Sequence, residues 1–259
     1  MTIGALAGCG VLVTRPAHQA NQLAEAIEHA GGRAIRFPVI EISGRDEDVV
    51  ANEFAALPDP DIVIFVSQNA ATFGGGVCAL AQAEIGAIGQ STKAALEARG
   101  TVVEIAPEDG FTSERLLQHP LLSDVNDKNV TIVRGEHGRQ LLGDELRRRG
   151  ATVNYLSTYR RQIRRVRSSE VAEIDEIWRR GDINYVTVLS VETLENLLRL
   201  LLPTSIDMLR NTPLVAPGAR VIQTAMRLVP GLRAKEAKGP ATSEILDALI
   251  DLQQSGQHR

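Results

Sequence analysis

The stretch from Cys9 to Ile35 returns, without a gap, as the stretch from Lys128 to Asn154. Arg15 then meets Arg134, His18 meets His137, Leu23 meets Leu142 and Gly31 meets Gly150, with the same separation of 119 positions each time. Later landmarks recur in the same order. D-I-V-I-F-V-S and N-Y-V-T-V-L-S set Ser67 opposite Ser190, A-I-G-Q-S-T and A-P-G-A-R-V set Gly89 opposite Gly218, and T-S-E recurs at Thr112 and Thr242. A period of this length is a duplicated domain and not a solenoid repeat. The 259 residues therefore divide into two lobes, each long enough to bury a core. Two similar lobes facing one another would make a cleft.

Composition narrows what such a cleft would take. Aromatic residues are 3% of the chain, too few for a base-stacking platform, and a net charge of −4 leaves no positive excess to neutralise phosphates. Nucleic acid is thus not an expected partner. The two cysteines, Cys9 and Cys78, have no companion at metal or disulfide spacing, so neither a zinc site nor a disulfide framework is expected. No apolar run approaches the ~18 residues of a membrane span, and the start has no basic leader, which points away from a membrane and to the reducing cytosol.

In the first copy, residues 11–14 are a short apolar run, as expected of a strand covered on both faces. Leu23, Ala26, Ile27 and Ala30 follow helical spacing, Gly31-Gly32 stops that helix, and a strand resumes over 34–37. Such a βαβ unit makes a parallel sheet. The same alternation predicts strands at 62–66, 84–88, 102–105, 130–133, 152–156, 185–189 and 214–216. Helices are predicted from about Asn69 and at 91–99, 113–117, 140–149, 193–202, 221–228 and 243–252. The fold class is α/β, with open, doubly wound sheets. Residues 37–42 and 156–162 leave equivalent βαβ units and run into polar, charge-rich sequence. Periodicity leaves two topologies open: the chain crosses between lobes at these segments, or it divides in tandem near residue 120.

Ligands of open α/β sheets bind beyond the carboxyl ends of the strands, where helix N-termini present unpaired N–H groups. The repeated landmarks all fall at such ends, which suits a ligand with several anionic groups. Arg15, Arg134 and Arg139 are the expected cations, because a guanidinium grips a carboxylate through two parallel hydrogen bonds. Pairing with local acids such as Glu136 is the structural alternative. Ser67, Ser190 and Thr92 fit either anion contact or helix capping. Gly74-Gly75-Gly76 reads as a helix end, not a phosphate cradle. His18 and His137 match across the repeat but lack partners at ligand spacing, so no metal is expected there.

Several pieces stand in a characteristic order and spacing: V-L-V-T-R-P before Q-L-A-E-A-I-E-H-A-G-G, F-P-V-I-E-I, D-I-V-I-F-V-S-Q-N-A, A-I-G-Q-S-T-K-A-A-L-E-A-R-G, V-R-G-E-H-G-R-Q-L-L-G-D-E-L-R-R-R-G-A and T-Y-R-R. Together they resemble the uroporphyrinogen-III synthase family over nearly the whole chain. The resemblance implies two flavodoxin-like lobes. One is discontinuous, 1–37 plus 163–259; the other, 43–156, is inserted; residues 38–42 and 157–162 are a two-stranded antiparallel linker. It implies a cofactor-free, cytoplasmic, monomeric lyase of tetrapyrrole and heme biosynthesis, in transient contact with the preceding pathway enzyme at most. The implied substrate is hydroxymethylbilane, a linear tetrapyrrole rich in carboxylates, and the product is its macrocycle with ring D inverted.

Tyr159, the tyrosine of T-Y-R-R, is by this resemblance the candidate proton donor to the departing hydroxyl. A phenol, with a reference pKa of about 10, is neutral at pH 7 and can donate; a tyrosine merely packing between lobes is the alternative. Carboxylate contacts fall to Arg15, Ser67, Asn69, Thr92, Arg134, Gly135, Arg139, Ser190 and Gly218. Val221 stands opposite Thr92, where the family often carries Thr. The rival class is a non-catalytic two-lobed protein that closes on an anion without turnover.

Overall fold

The computed structural model describes residues 4–108, 110, 112–138 and 140–256, so the expected cation Arg139 lies outside the described residues. In chain order the strands and helices begin with β1 Gly10–Val13, α1 Ala17–His29, β2 Arg33–Arg36, β3 Ile40–Gly44, α2 Glu47–Ala55, β4 Ile62–Phe65 and α3 Gln68–Gly74. Then come β5 Glu84–Ala87, α4 Gln90–Glu97, α5 Ser113–Leu116, β6 Asn129–Gly135, α6 Leu141–Arg148, β7 Thr152–Ile163 and α7 Ser168–Arg179. The chain ends with β8 Tyr185–Thr187, α8 Val191–Leu200, α9 Pro203–Leu209, β9 Leu214–Pro217, α10 Ala219–Leu228, β10 Ala234–Ala237 and α11 Thr242–Gly256. The chain forms two compact units, one of Met1–Glu41 with Gln162–Arg259 and one of Ile42–Arg161.

The first unit is built on a five-stranded sheet ordered β2-β1-β8-β9-β10, with every pair parallel. Taken in order of occurrence this is 2-1-3-4-5, a doubly wound arrangement connected through helices, with the whole second unit inserted between β2 and α7 on the way to β8. Leu23 and Ile27 of α1 and Ile245 and Leu249 of α11 pack on Val11, Val13 and Val215, so the apolar stripe read from the sequence is the buried one. Gly31 ends α1 at φ +85° and its repeat partner Gly150 ends α6 at φ +93°. A side chain at either would be strained, which explains why the match survives there. Asp175 on α7 is buried and accepts from Thr204 (2.5 Å) and Ser205 (2.7 Å) of α9. Burial alone would raise its pKa; the two hydroxyls and Arg179 more than offset that and hold the carboxyl below its usual range.

In the second unit the order is β3-β7-β6-β4-β5, with β7-β6-β4-β5 parallel. Side chains alternate between two cores, as a strand requires. Val63, Phe65, Ile85 and Val133 enter one; Ile62, Ile64, Val130 and Ile132 enter the other. At the edge next to β7, the Arg45 N–H donates to the Thr158 carbonyl at 2.9 Å.

Several elements differ from the sequence expectation. The predicted strand at 102–105 is reduced to a single bridge between Ile105 and Gly86, because this edge has no further neighbour and Val102 is 70% exposed. The charge-rich stretches after β3 and β7 contain α2 and α7, capped by Asp46, which accepts from Val49 N, and by Glu170, which accepts from Arg167 N. The strand β10, A-K-E-A, was not expected. As read, α3 ends at Gly74, where Thr158 Cγ2 lies 2.6 Å from the place a Cβ would take. Among the described residues no helix is long and apolar enough to cross a membrane, and no group of three or more His, Cys, Asp or Glu is placed to hold a metal.

Candidate functional site

In the second unit three of the expected residues gather at the carboxyl ends of β4 and β6, where the pairing of β6 with β7 stops. Ser67 follows β4, is extended at φ −169°, and caps α3 by accepting from Ala70 N–H at 3.0 Å. Its Oγ also shares a hydrogen bond with the Tyr159 hydroxyl at 3.1 Å, in which either oxygen can donate. Gly135 completes the group, since a Cβ there would stand 2.8 Å from Tyr159 Cζ and 3.2 Å from its Oη. The phenol can lie against β6 only because position 135 has no side chain.

A break in register aims that phenol. Arg134 pairs with Ser157 but Gly135 pairs with Tyr159, so one residue of β7 is skipped. Strand alternation would send Leu156 and Tyr159 to opposite faces, yet both enter the core that holds Val133. A bulge of this kind re-aims a side chain at the end of a ladder. Tyr159 is 7% exposed and its ring is tilted against Phe73 at 6.2 Å, so it packs within the second unit's own core.

Arg134 leaves β6 on the other face. Its Cζ lies 4.5 Å from the centroid of the Tyr155 ring, Nε donates to the Gly135 carbonyl at 3.3 Å, and Nη1 is buried without a hydrogen-bond partner. Among the described residues no carboxylate pairs with Arg134 or Arg15, and Glu136 pairs instead with Arg160 at 3.4 Å. Among the described residues these arginines thus hold backbone carbonyls, Pro240 for Arg15 and Gly135 for Arg134, and not local acids. Asn69 and Thr92 are both buried, in the first turns of α3 and α4. Thr92 is not a cap; Gly89 holds that place.

In the first unit Arg15, Ser190 and Gly218 follow β1, β8 and β9, so all three lie at the carboxyl end of that sheet. Arg15 donates to the Pro240 carbonyl at 2.8 Å, its Nε is buried without a partner, and burial lowers its pKa. Ser190 caps α8, accepting from Thr193 N at 3.1 Å. Gly218 caps α10 at φ +84°. Val221 is buried in the first turn of α10, as Thr92 is in α4. Nothing in the repeat pointed to Phe73 or Tyr155, because neither side chain has a like partner in the other copy.

Residues 21–244 match the family described as Uroporphyrinogen-III synthase HemD. The chain is 32% identical over 201 residues to the uroporphyrinogen-III synthase of Escherichia coli strain K12, covering 72% of this chain and 78% of that one. It is 31% identical over 195 residues to that of Proteus mirabilis, covering 73% and 96%. A mutant uroporphyrinogen III synthase from the extremely thermophilic bacterium Thermus thermophilus has a TM-score of 0.56 at 18% identity, over 97% of this chain and 100% of that one. The uroporphyrinogen-III synthetase of Helicobacter pylori 26695 has a TM-score of 0.59 at 13% identity, over 94% and 99%. At these identities the two structures speak for a shared fold.

Proposed function

The chain belongs to the uroporphyrinogen-III synthase family and carries its lyase activity, the cyclising dehydration of hydroxymethylbilane with inversion of ring D; from that premise we propose that the departing hydroxyl is met by Tyr159. The observation that carries this reading is the Ser67–Tyr159 hydrogen bond beneath Gly135. The Ala70 N–H donates to Ser67 Oγ; with the Ser67 hydroxyl as donor to Tyr159 Oη, one of the two directions this bond allows, the phenol proton is left for the substrate. Each bond in such a chain polarises the next.

The substrate's chemistry says what remains for the protein to do. The pyrrole nitrogen helps expel the terminal hydroxyl, leaving an electrophilic azafulvene that closes unaided to the non-inverted ring. Control of geometry is therefore the main task, and it comes from holding the chain so that the substituted carbon of ring D attacks through a spiro intermediate. Proton transfer to the hydroxyl yields water, and the phenol is reprotonated by the proton that ring closure releases. Arg134, Asn69, Thr92 and the Gly135 amide on one unit, and Arg15, Ser190 and Gly218 on the other, are the proposed carboxylate contacts.

The adjacency of β3 to β7 supports reading these two strands as the antiparallel linker on which the chain passes between lobes, as does the Arg164 N–H bond to the Val39 carbonyl at 3.1 Å. The same reading makes the protein a cytosolic monomer supplied by the enzyme that forms hydroxymethylbilane. The test is a coupled assay with freshly generated substrate that resolves type I from type III macrocycle. Tyr159→Phe should lower kcat at least tenfold, on the order of what lost acid assistance costs, with type III still the enzymic product. Full activity in this variant removes Tyr159 from the mechanism, and type I alone from the unaltered protein indicates a non-catalytic anion binder.

A further inference from the structure

Tyr155 lies on the face of the second unit's sheet away from Tyr159, and it carries two cations. Arg134 Cζ is 4.5 Å and Arg147 Cζ 5.3 Å from its ring centroid. The two guanidinium groups differ in what else they hold. Arg147 pairs with Asp144 at 3.3 Å and donates to the Val153 carbonyl at 3.0 Å, so it is already occupied. Among the described residues Arg134 has no acid partner, and its Nη1 is buried and unbonded. Gly138 closes its other side, the place of a Cβ lying 3.6 Å from Arg134 Cζ. The guanidinium thus lies between an aromatic ring and a backbone turn, with no acid partner among the described residues.

The ring is itself fixed. Gly143 sits inside α6, where glycine costs about 1 kcal/mol relative to alanine, and a Cβ there would collide with the Tyr155 hydroxyl. That hydroxyl makes no hydrogen bond in its buried position. What Tyr155 supplies is therefore its face, whose quadrupole attracts a cation and fixes the plane of the guanidinium. From these contacts we infer that Tyr155 is a positioning residue for the synthase reaction: it presents Arg134 to a substrate carboxylate. This rests on the reading of Arg134 as a carboxylate contact.

The experiment compares Tyr155→Leu, Tyr155→Phe, Arg134→Gln and the double variant Arg134→Gln/Tyr155→Leu in the coupled isomer assay at several salt concentrations. Tyr155→Leu should raise KM for hydroxymethylbilane about tenfold, the scale of a desolvated cation–π contact, with kcat within about twofold. Its KM should also lose part of its salt dependence, as that of Arg134→Gln does. Tyr155→Phe keeps the face and should restore KM to within about threefold of the unaltered protein. The double variant should be no worse than Arg134→Gln alone. KM is read on the folded fraction, so partial loss of protein does not hide the effect. Should Tyr155→Leu not fold, Gly143→Ala displaces the ring and should raise KM in the same way. Unchanged KM in Tyr155→Leu, equal damage from Phe and Leu, or additive effects in the double variant would overturn the inference. A failure of the underlying reading looks different: Arg134→Gln itself leaves KM and its salt dependence unchanged.

Discussion

Gly135→Ala tests the geometry of the proposed site most directly, because it adds one methyl group and leaves the backbone N–H in place. The new Cβ would stand 2.8 Å from Tyr159 Cζ, 2.9 Å from Cε2 and 3.2 Å from Oη. Carbon atoms in contact prefer about 3.5–4.0 Å, so the ring must retreat by roughly 1 Å. Phe73 and the core around Val133 limit that retreat to a tilt away from β6, and the 3.1 Å bond to Ser67 stretches past useful length. Overpacking of this kind costs about 1–3 kcal/mol of stability. A reacting group misplaced by about 1 Å costs on the order of a hundredfold in rate. The expected result is a kcat for type III macrocycle lowered roughly 30- to 100-fold, with KM within about threefold, because the amide is retained.

The same substitution in a Tyr159→Phe background separates the two effects. The clash with the ring persists there, so the loss of thermal stability should recur. The hydroxyl is gone, so the loss of kcat should shrink to a few-fold. The assay is the initial rate of type III formation from freshly generated hydroxymethylbilane, beside a thermal melt of each variant. Retained kcat in Gly135→Ala refutes the argument, as does an equal fall in both backgrounds; either result would mean that Gly135 does not act through the phenol.

Ser67→Ala and Ser190→Ala each remove a helix cap and should cost about 1 kcal/mol, read as a lower unfolding midpoint. Only Ser67→Ala should also lower kcat, since it alone strips a partner from Tyr159, while Ser190→Ala should raise KM. In acid, Arg148 and then Arg149 hold the Glu145 carboxyl down to about 2, and the Arg167 N–H followed by Arg164 does the same for Glu170, against an ordinary value of 4.5. Both folded values are depressed, so their contribution is present above about pH 4.5 and is lost as pH falls towards about 2. Glu145→Gln and Glu170→Gln should flatten the fall of the melting temperature over that window, and added salt should do likewise, because both groups are only half-buried and remain open to solvent screening.

Much of the framework was legible because the duplication let each half check the other. The apolar stripe of α1 and the glycines after α1 and α6 are properties of short windows, and they survived comparison across 119 positions. Elements without such a window were not seen. The strand β10 is A-K-E-A, with no branched or aromatic residue to mark it, and it forms because β9 offers a parallel edge. The helices α2 and α7 carry so many charges that they read as solvated connections. Residues 102–105 have the right composition for a strand, but an edge supplies one bridge and no more. The contact between Ser67 and Tyr159 spans 92 positions, and the register break that aims the tyrosine leaves no mark in either strand's own sequence.

Where the repeat fails says more about chemistry than where it holds. Both copies keep an arginine at the carboxyl end of the first strand of the βαβ unit, a capping serine and a capping glycine, the residues proposed to grip anions. At the constant offset Tyr159 falls opposite Ile40, which is buried, and Gly135 falls opposite Pro16, so the first unit has neither the phenol nor the gap that admits it. Tyr155 falls opposite Arg36, which pairs with Glu28 at 3.3 Å, and Gly143 opposite Ala24. The two matched arginines consequently differ: Arg15 is tied to the Pro240 carbonyl, whereas Arg134 is held by a ring. A reaction with one leaving hydroxyl and many carboxylates calls for a single proton donor and repeated grips. The proposed site has that division: proposed carboxylate contacts in both units, and the candidate donor in the second alone.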